Sequence, residues 1–115
     1  MTIERRDGVA VARLDQEFDV TAAVGVREAL LAALSNRDNG IVVNLEDVTF
    51  MDSAGINVLF ELADRLESRQ QQVAVVLPER AVVRRVVELV GLSARVSIYD
   101  SVDDATGGVP PADPE

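Results

Sequence analysis

The sequence predicts an α/β fold: one mixed β-sheet of about five strands with about four helices packed against it, the last helix short. Two observations carry this. Strand-like runs alternate with segments of helical period, in the order β-β-α-β-α-β-α-β, which calls for parallel crossovers. Two nearly continuous apolar runs, Ile41-Val42-Val43-Asn44-Leu45 and Val73-Ala74-Val75-Val76-Leu77, suit strands covered on both faces. A chain of 115 residues fits one domain with one core.

Taken in order, Val9 to Leu14 follows a Gly8 turn and reads as a strand paired with a short strand at Ile3 to Arg5. Asp15 to Asp19 is an acidic loop. Thr21 can cap a helix running to about Ser35, with Val26, Leu30, Ala33 and Leu34 near helical spacing. After the Ile41 strand, a second helix follows Asp52-Ser53-Ala54-Gly55, with Ile56, Leu59, Phe60, Ala63 and Leu66 on its core face. Beyond the Val73 strand, Pro78 opens a third helix whose apolar side is Val82, Val83, Val86, Leu89 and Val90, with Gly91 as its C-cap. Val96 to Tyr99 is the last strand, and Ser101 to Thr106 holds a turn or two of helix. Residues 1–106 thus form the domain. Residues 107–115, with three prolines, two glycines and no periodicity, read as a disordered C-terminal tail.

Composition narrows the function. The chain is 48% apolar and 3% aromatic, so its core is aliphatic, and its net charge is −9. There is no lysine, and all eleven basic residues are arginines. An acidic field disfavours nucleic acid and anionic membranes as partners. The absence of histidine and cysteine removes the usual triads, and the absence of lysine removes the phosphate-binding lysine of a P-loop. No apolar run long enough for a signal peptide or a membrane span is present, which places the protein in the cytoplasm. Asp15, Glu17, Asp19, Glu46, Asp47 and Asp52 gather at strand ends; they could hold a hard cation or do acid/base work, or simply cap helices and solubilise loops.

The informative segment is Asn44-Leu45-Glu46-Asp47-Val48-Thr49-Phe50-Met51-Asp52-Ser53-Ala54-Gly55-Ile56, which delivers a serine to the start of an amphipathic helix. It resembles the hallmark of the STAS domain, a strand ending in a pattern like "hNLxxVxFhDSxGhxxL", and the match runs through Leu59. Phe18-Asp19 ahead of Thr21-Ala22 is similar to the family's loop ending in "LD" before its first helix. The resemblance covers roughly residues 3 to 106, and within the family it points to the soluble anti-sigma factor antagonists.

That resemblance implies a STAS fold and a binding module rather than an enzyme, with no cofactor or metal of its own. It implies reversible phosphorylation of Ser53 by an anti-sigma factor serine/threonine kinase that supplies ATP and Mg, with a serine phosphatase to reverse it. Unphosphorylated, the module binds the kinase and so frees a sigma factor, acting as a monomer or weak dimer. The partner-binding residues it implies are Asp19, Thr21, Asp52, Ser53, Ala54, Gly55 and Asn57. Three departures bear on partner choice: Ala54 where a second hydroxyl is common, Gln16 in place of a loop glycine, and the short final helix.

Physical chemistry frames Ser53 separately. A helix N-terminus presents unpaired N–H groups and a positive dipole end, so a phosphate there is acceptable to the fold. It also adds about −1.5 to −2 charges beside Asp52, which opposes docking. The plain alternative for Ser53 is a helix N-cap. Asp52 either caps the helix or orients the serine hydroxyl, Asp19 either caps the Thr21 helix or meets a partner, and Gly55 admits a close backbone approach. Competing functions are an accessory STAS subunit of a transport ATPase, a receiver-like phosphoacceptor domain, and a small carboxylate enzyme using Asp19 and Asp52.

Overall fold

Asp7 and Gly8 both adopt positive φ, the requirement of a two-residue hairpin turn, and so join β1 (Thr2–Arg6) to β2 (Val9–Arg13) as an antiparallel pair. The remaining elements of this computed structural model, which describes residues 1–35 and 37–109, are α1 (Val20–Ala33), β3 (Gly40–Asn44), α2 (Ser53–Ser68), β4 (Gln72–Val76), α3 (Arg84–Leu89), a 3₁₀ turn (Leu92–Ala94), β5 (Ser97–Tyr99) and α4 (Val102–Gly108). The expected mixed sheet of five strands with four helices is therefore present. β2 through β5 pair in parallel, and the spatial order β1-β2-β3-β4-β5 equals the chain order.

That order decides the layering. Three successive crossovers of one hand, all advancing the same way along the sheet, lay their helices on one face. Strand side chains alternate between the faces. Ala10, Ala12, Ile41, Val43, Val73 and Val75 pack with α1, α2 and α3 in the main core. Val9, Val11, Val42, Ala74 and Val76 form a thinner second layer under Ala105 and Val109 at the end of α4. Burial on both faces explains why β3 and β4 read as continuous apolar runs.

Three expectations need correction. The first helix starts at Val20 and is capped by Asp19, so Thr21 lies inside it as the second helical residue. The third helix begins at Arg84, and residues 78–83 form turns; Val83 and Val87 face the core, whereas Val82, Leu89 and Val90 are exposed and Val86 is half-buried. Seven apolar residues among the ten from Ala81 to Val90 leave the phase of a helix ambiguous, and packing selected the 83/87 line. Last, Gly107 and Gly108 are the final turn of α4 rather than the start of a tail, because a side chain at Gly108 would strike the Tyr99 ring and Val109 is buried against the sheet. The rest of the expected tail, 110–115, lies outside the described residues. On α2, Leu59, Ala63 and Leu66 are buried as expected, joined by Val58 and Leu62, while Ile56 and Phe60 are half-buried.

One half-buried ion pair ties the turn after α1 to the sheet edge. The Arg5 guanidinium donates to both Asp38 carboxylate oxygens at 3.0 and 2.8 Å, and the Ser35 N–H adds a third bond at 2.8 Å. Gln71 clamps the same turn by donating to the carbonyls of Ser35 and Asp38. The Arg5 hydrogen bond outweighs desolvation and holds the Asp38 carboxyl below the ordinary carboxylate range. A carboxylate depressed in the folded state contributes stability above its unfolded pKa, and loses it as pH falls through the lower folded value. Asp38→Asn is expected to cost about 1–3 kcal/mol at neutral pH, with the deficit against wild type narrowing from about pH 4 downward. Urea unfolding across a pH series reads both effects.

Candidate functional site

Two loops at the C-terminal ends of adjacent parallel strands meet edge to edge. The loop after β2 is anchored by Phe18, whose side chain is fully buried, and the loop after β3 runs alongside it. The Phe18 N–H donates to the Phe50 carbonyl at 2.9 Å, and Phe18 bridges Met51 in parallel like a short extra strand pair. The Asp52 N–H reaches back to the Phe18 carbonyl at 3.4 Å. This pairing sets the N-termini of α1 and α2 side by side.

Gly55 permits the contact. A Cβ at that position would lie 2.2 Å from the Phe18 carbonyl oxygen and 2.9 Å from its ring, so any side chain would push the first loop away. Gly55 is buried and fills a structural position at the meeting of the two loops.

Six backbone N–H groups occupy the first three positions of the two helices, where no acceptor four residues back within the helix exists. Two carboxylates take five of them. Asp19 Oδ1 accepts from Thr21 and Ala22, both at 3.1 Å. Asp52 Oδ1 accepts from Ala54 at 2.9 Å and Gly55 at 3.3 Å, and its Oδ2 accepts from Val20 of the neighbouring helix at 3.1 Å. Asp52 therefore caps its own helix and staples the other to it. Of these six, the N–H with no acceptor among the described residues is that of Ser53.

Ser53 is not the N-cap. It is the first helical residue, its side chain is exposed, and the capping bonds belong to Asp52. The stability argument for a serine at this position is thereby removed. Asn57, one turn along α2, and Thr21 on α1 are exposed, and Ala54 is half-buried. Around them lie three exposed apolar side chains that sequence reasoning did not single out: Val20 (69% exposed), Val24 (55%) and Phe50 (49%). Val20 and Val24 lie on the side of α1 opposite the line Ala23, Val26 and Leu30 that faces the core.

The other acids of the sequence cluster are dispersed. Asp15 pairs with the N-terminal ammonium at 2.9 Å, Arg13 holds Asp47, and Glu46 bonds Asn44 and faces Arg80. Among the described residues, no group of three acids is placed to hold a metal ion. Cavities of about 250, 330, 390 and 480 Å³ lie elsewhere on the surface, and none of these is lined by Asp19, Asp52 or Ser53. A receiver-like arrangement is also excluded, since a doubly wound sheet reverses its strand order and this one does not.

The division of labour at this junction is measurable by urea unfolding. Asp52→Ala is expected to cost about 1–2 kcal/mol, as a lost cap, and Gly55→Ala about 1–3 kcal/mol, as overpacking. Ser53→Ala should stay within about 0.5 kcal/mol of wild type, because it removes no cap.

Comparison with known proteins agrees with this geometry. The family model described as "STAS domain" matches residues 1–105. An anti-sigma-F factor antagonist, RsfB, of Mycobacterium tuberculosis is 27% identical over 109 residues, covering 95% of this chain and 88% of that protein. An anti-sigma F factor antagonist of Paenibacillus polymyxa is 29% identical over 100 residues, covering 86% of this chain and 85% of that one. The crystal structure of an anti-sigma factor antagonist from Mycobacterium paratuberculosis superposes with a TM-score of 0.82 at 29% identity, covering 94% of this chain and 91% of that one. With the fold, the Asp-Ser helix start and a family match over nearly the whole domain in agreement, the chain belongs to the STAS domain family.

Proposed function

We propose that this chain is an anti-sigma factor antagonist, a cytoplasmic binding protein that is switched by phosphorylation of Ser53. One observation carries the reading: Ser53 presents an exposed hydroxyl at the head of α2 while Asp52 does the capping. The names of the relatives support the kind of partner, an anti-sigma factor.

In the unmodified form, Val20, Val24 and Phe50 offer apolar contact around a polar centre formed by Thr21, Ser53 and Asn57. An anti-sigma factor kinase docks there and supplies ATP and Mg. The Ser53 Oγ attacks the γ-phosphorus, the bond to the β-phosphate oxygen breaks, ADP departs and the hydroxyl proton passes to a base of the kinase. A serine phosphatase reverses the step by delivering water to phosphorus, which restores the hydroxyl and releases inorganic phosphate.

The phosphorylated fold survives because the free Ser53 N–H and the dipole ends of α1 and α2 face the new charge. Docking does not survive. The phosphate stands beside Asp52 and Asp19, and burying that concentration of charge against an apolar partner surface is unfavourable. A hundredfold loss of affinity requires about 2.8 kcal/mol, within reach of one desolvated dianion.

Titration calorimetry with an anti-sigma factor from the same organism tests the switch. Ser53→Ala is expected to bind as tightly as the unmodified protein, and the enzymatically phosphorylated protein at least about a hundredfold more weakly. Equal affinities for the two forms would overturn the reading.

A further inference from the structure

The exposed residues of α1 are Val20, Thr21, Val24, Gly25, Glu28 and Ala32, and of these only Glu28 is charged, in a chain that is 27% charged. The exposed side of α2, by contrast, carries Asp64, Arg65 and Glu67. Depletion of charge on an exposed surface is characteristic of the centre of a protein interface. Gly25 is a second departure from an ordinary solvated helix. It stands inside a helix of 14 residues, where glycine is the poorest helix former after proline. Gly55 and Gly108 each answer a close contact within the fold, but a Cβ at Gly25 would meet no atom within 4 Å, and its φ is not positive. The fold itself gives no reason for a glycine there.

Thr21, Val24, Gly25 and Glu28 fall at i, i+3, i+4 and i+7, the four positions that border one hole on a helix surface, where a facing helix seats a side chain. All four are exposed. The missing side chain of Gly25 deepens the hole, Val24 gives it an apolar wall, and Glu28 stands at its edge. Among the described residues Glu28 has no ion-pair partner, whereas the adjacent Arg27 is turned to Glu61 of α2 at 3.5 Å. The hole adjoins the Ser53 junction, since Val20, one turn before Val24, donates its N–H to Asp52.

We infer that the hole bordered by Thr21, Val24, Gly25 and Glu28 is the specificity pocket of the docking surface around Ser53. A large apolar side chain on a helix of the anti-sigma factor fills it, and an arginine or lysine of that helix reaches Glu28. This inference rests on the reading of the chain as an anti-sigma factor antagonist, and adds which feature of the partner the surface selects. The hole is continuous with the Ser53 site through Val20 and Asp52, so a partner covering the serine reaches it. A carboxylate without a partner at the rim calls for a cation. The net charge of −9 favours a basic partner and disfavours a second copy or an anionic membrane surface as occupant.

The test pairs thermal unfolding with titration calorimetry against an anti-sigma factor from the same organism, for wild type, Gly25→Ala, Gly25→Leu and Glu28→Gln. Gly25→Ala is expected to raise the thermal midpoint by about 4 °C, through helix propensity, while weakening binding about tenfold. A glycine with a purely structural role would move stability and affinity in the same direction. Gly25→Leu should still fold, because its side chain enters open space, and should bind at least about a hundredfold more weakly. Glu28→Gln should weaken binding about fivefold and flatten its dependence on salt. Binding of Gly25→Leu at wild-type affinity overturns the inference, as does wild-type affinity of Gly25→Ala should the leucine variant fail to fold. If the wild-type complex is lost on phosphorylation in that same experiment, the switch stands and only the pocket falls. A wild-type protein that does not bind the anti-sigma factor overturns both. A dimer of the free protein that Gly25→Leu abolishes assigns the face to a second copy and also overturns the inference.

Discussion

The Asp52 carboxylate is the point on which the site turns. By taking N–H groups from both α1 and α2, it fixes two helix N-termini against each other and makes the positions of Asp19, Thr21 and Ser53 a single arrangement. The geometry needs a partner in the backbone, and the missing side chain of Gly55 provides it by letting the Phe18 carbonyl approach. Loss of either would loosen the same junction, since the carboxylate reaches Val20 only while the Phe18 loop lies close. Ser53 sits next to this machinery without belonging to it, which is the condition for a residue that is to be modified reversibly without unfolding its helix.

The sheet supplies the rigidity behind the junction. Sequential strand order puts α1, α2 and α3 on one face, and α1 and α2 become neighbours at the ends of β2 and β3. The opposite face is covered by little more than α4, whose Gly108 fits against Tyr99 and which is followed by the buried Val109. A small aliphatic core with almost no aromatic residues thus spends its largest fully buried side chain, Phe18, on positioning the functional loop. Stability and function share that residue.

Much of this was legible in the sequence, and the failures have physical causes. The apolar runs of β3 and β4, the Gly8 turn and the Gly91 cap are local signals, and each marked its element. Helix phase was less legible. In α3, apolar residues on two faces concealed Val87 as the core position and made Val82 and Leu89 look buried. The role of Asp19 as cap of α1 was open beside that of Thr21, and the side chain settled it, because an aspartate one residue earlier reaches both the Thr21 and Ala22 N–H groups. The Asp-Ser dipeptide marked the site, while the bond from Val20 to Asp52 joins residues 32 positions apart and has no local signature. Of the acids that seemed to form one cluster, Asp15, Asp47 and Glu46 turned to an ammonium, an arginine and an amide, while Asp19 and Asp52 stayed at the junction as helix caps.

The central claim is that the junction frees the Ser53 hydroxyl for modification while Asp52 holds the helix. Phosphopeptide mapping of the protein purified from its own cells, compared with the Ser53→Ala variant across growth conditions, tests it most directly. The account predicts a single phosphate on Ser53 that is absent from the variant and varies with condition. Phosphate on Thr21, on another hydroxyl, or on none under any condition would contradict it.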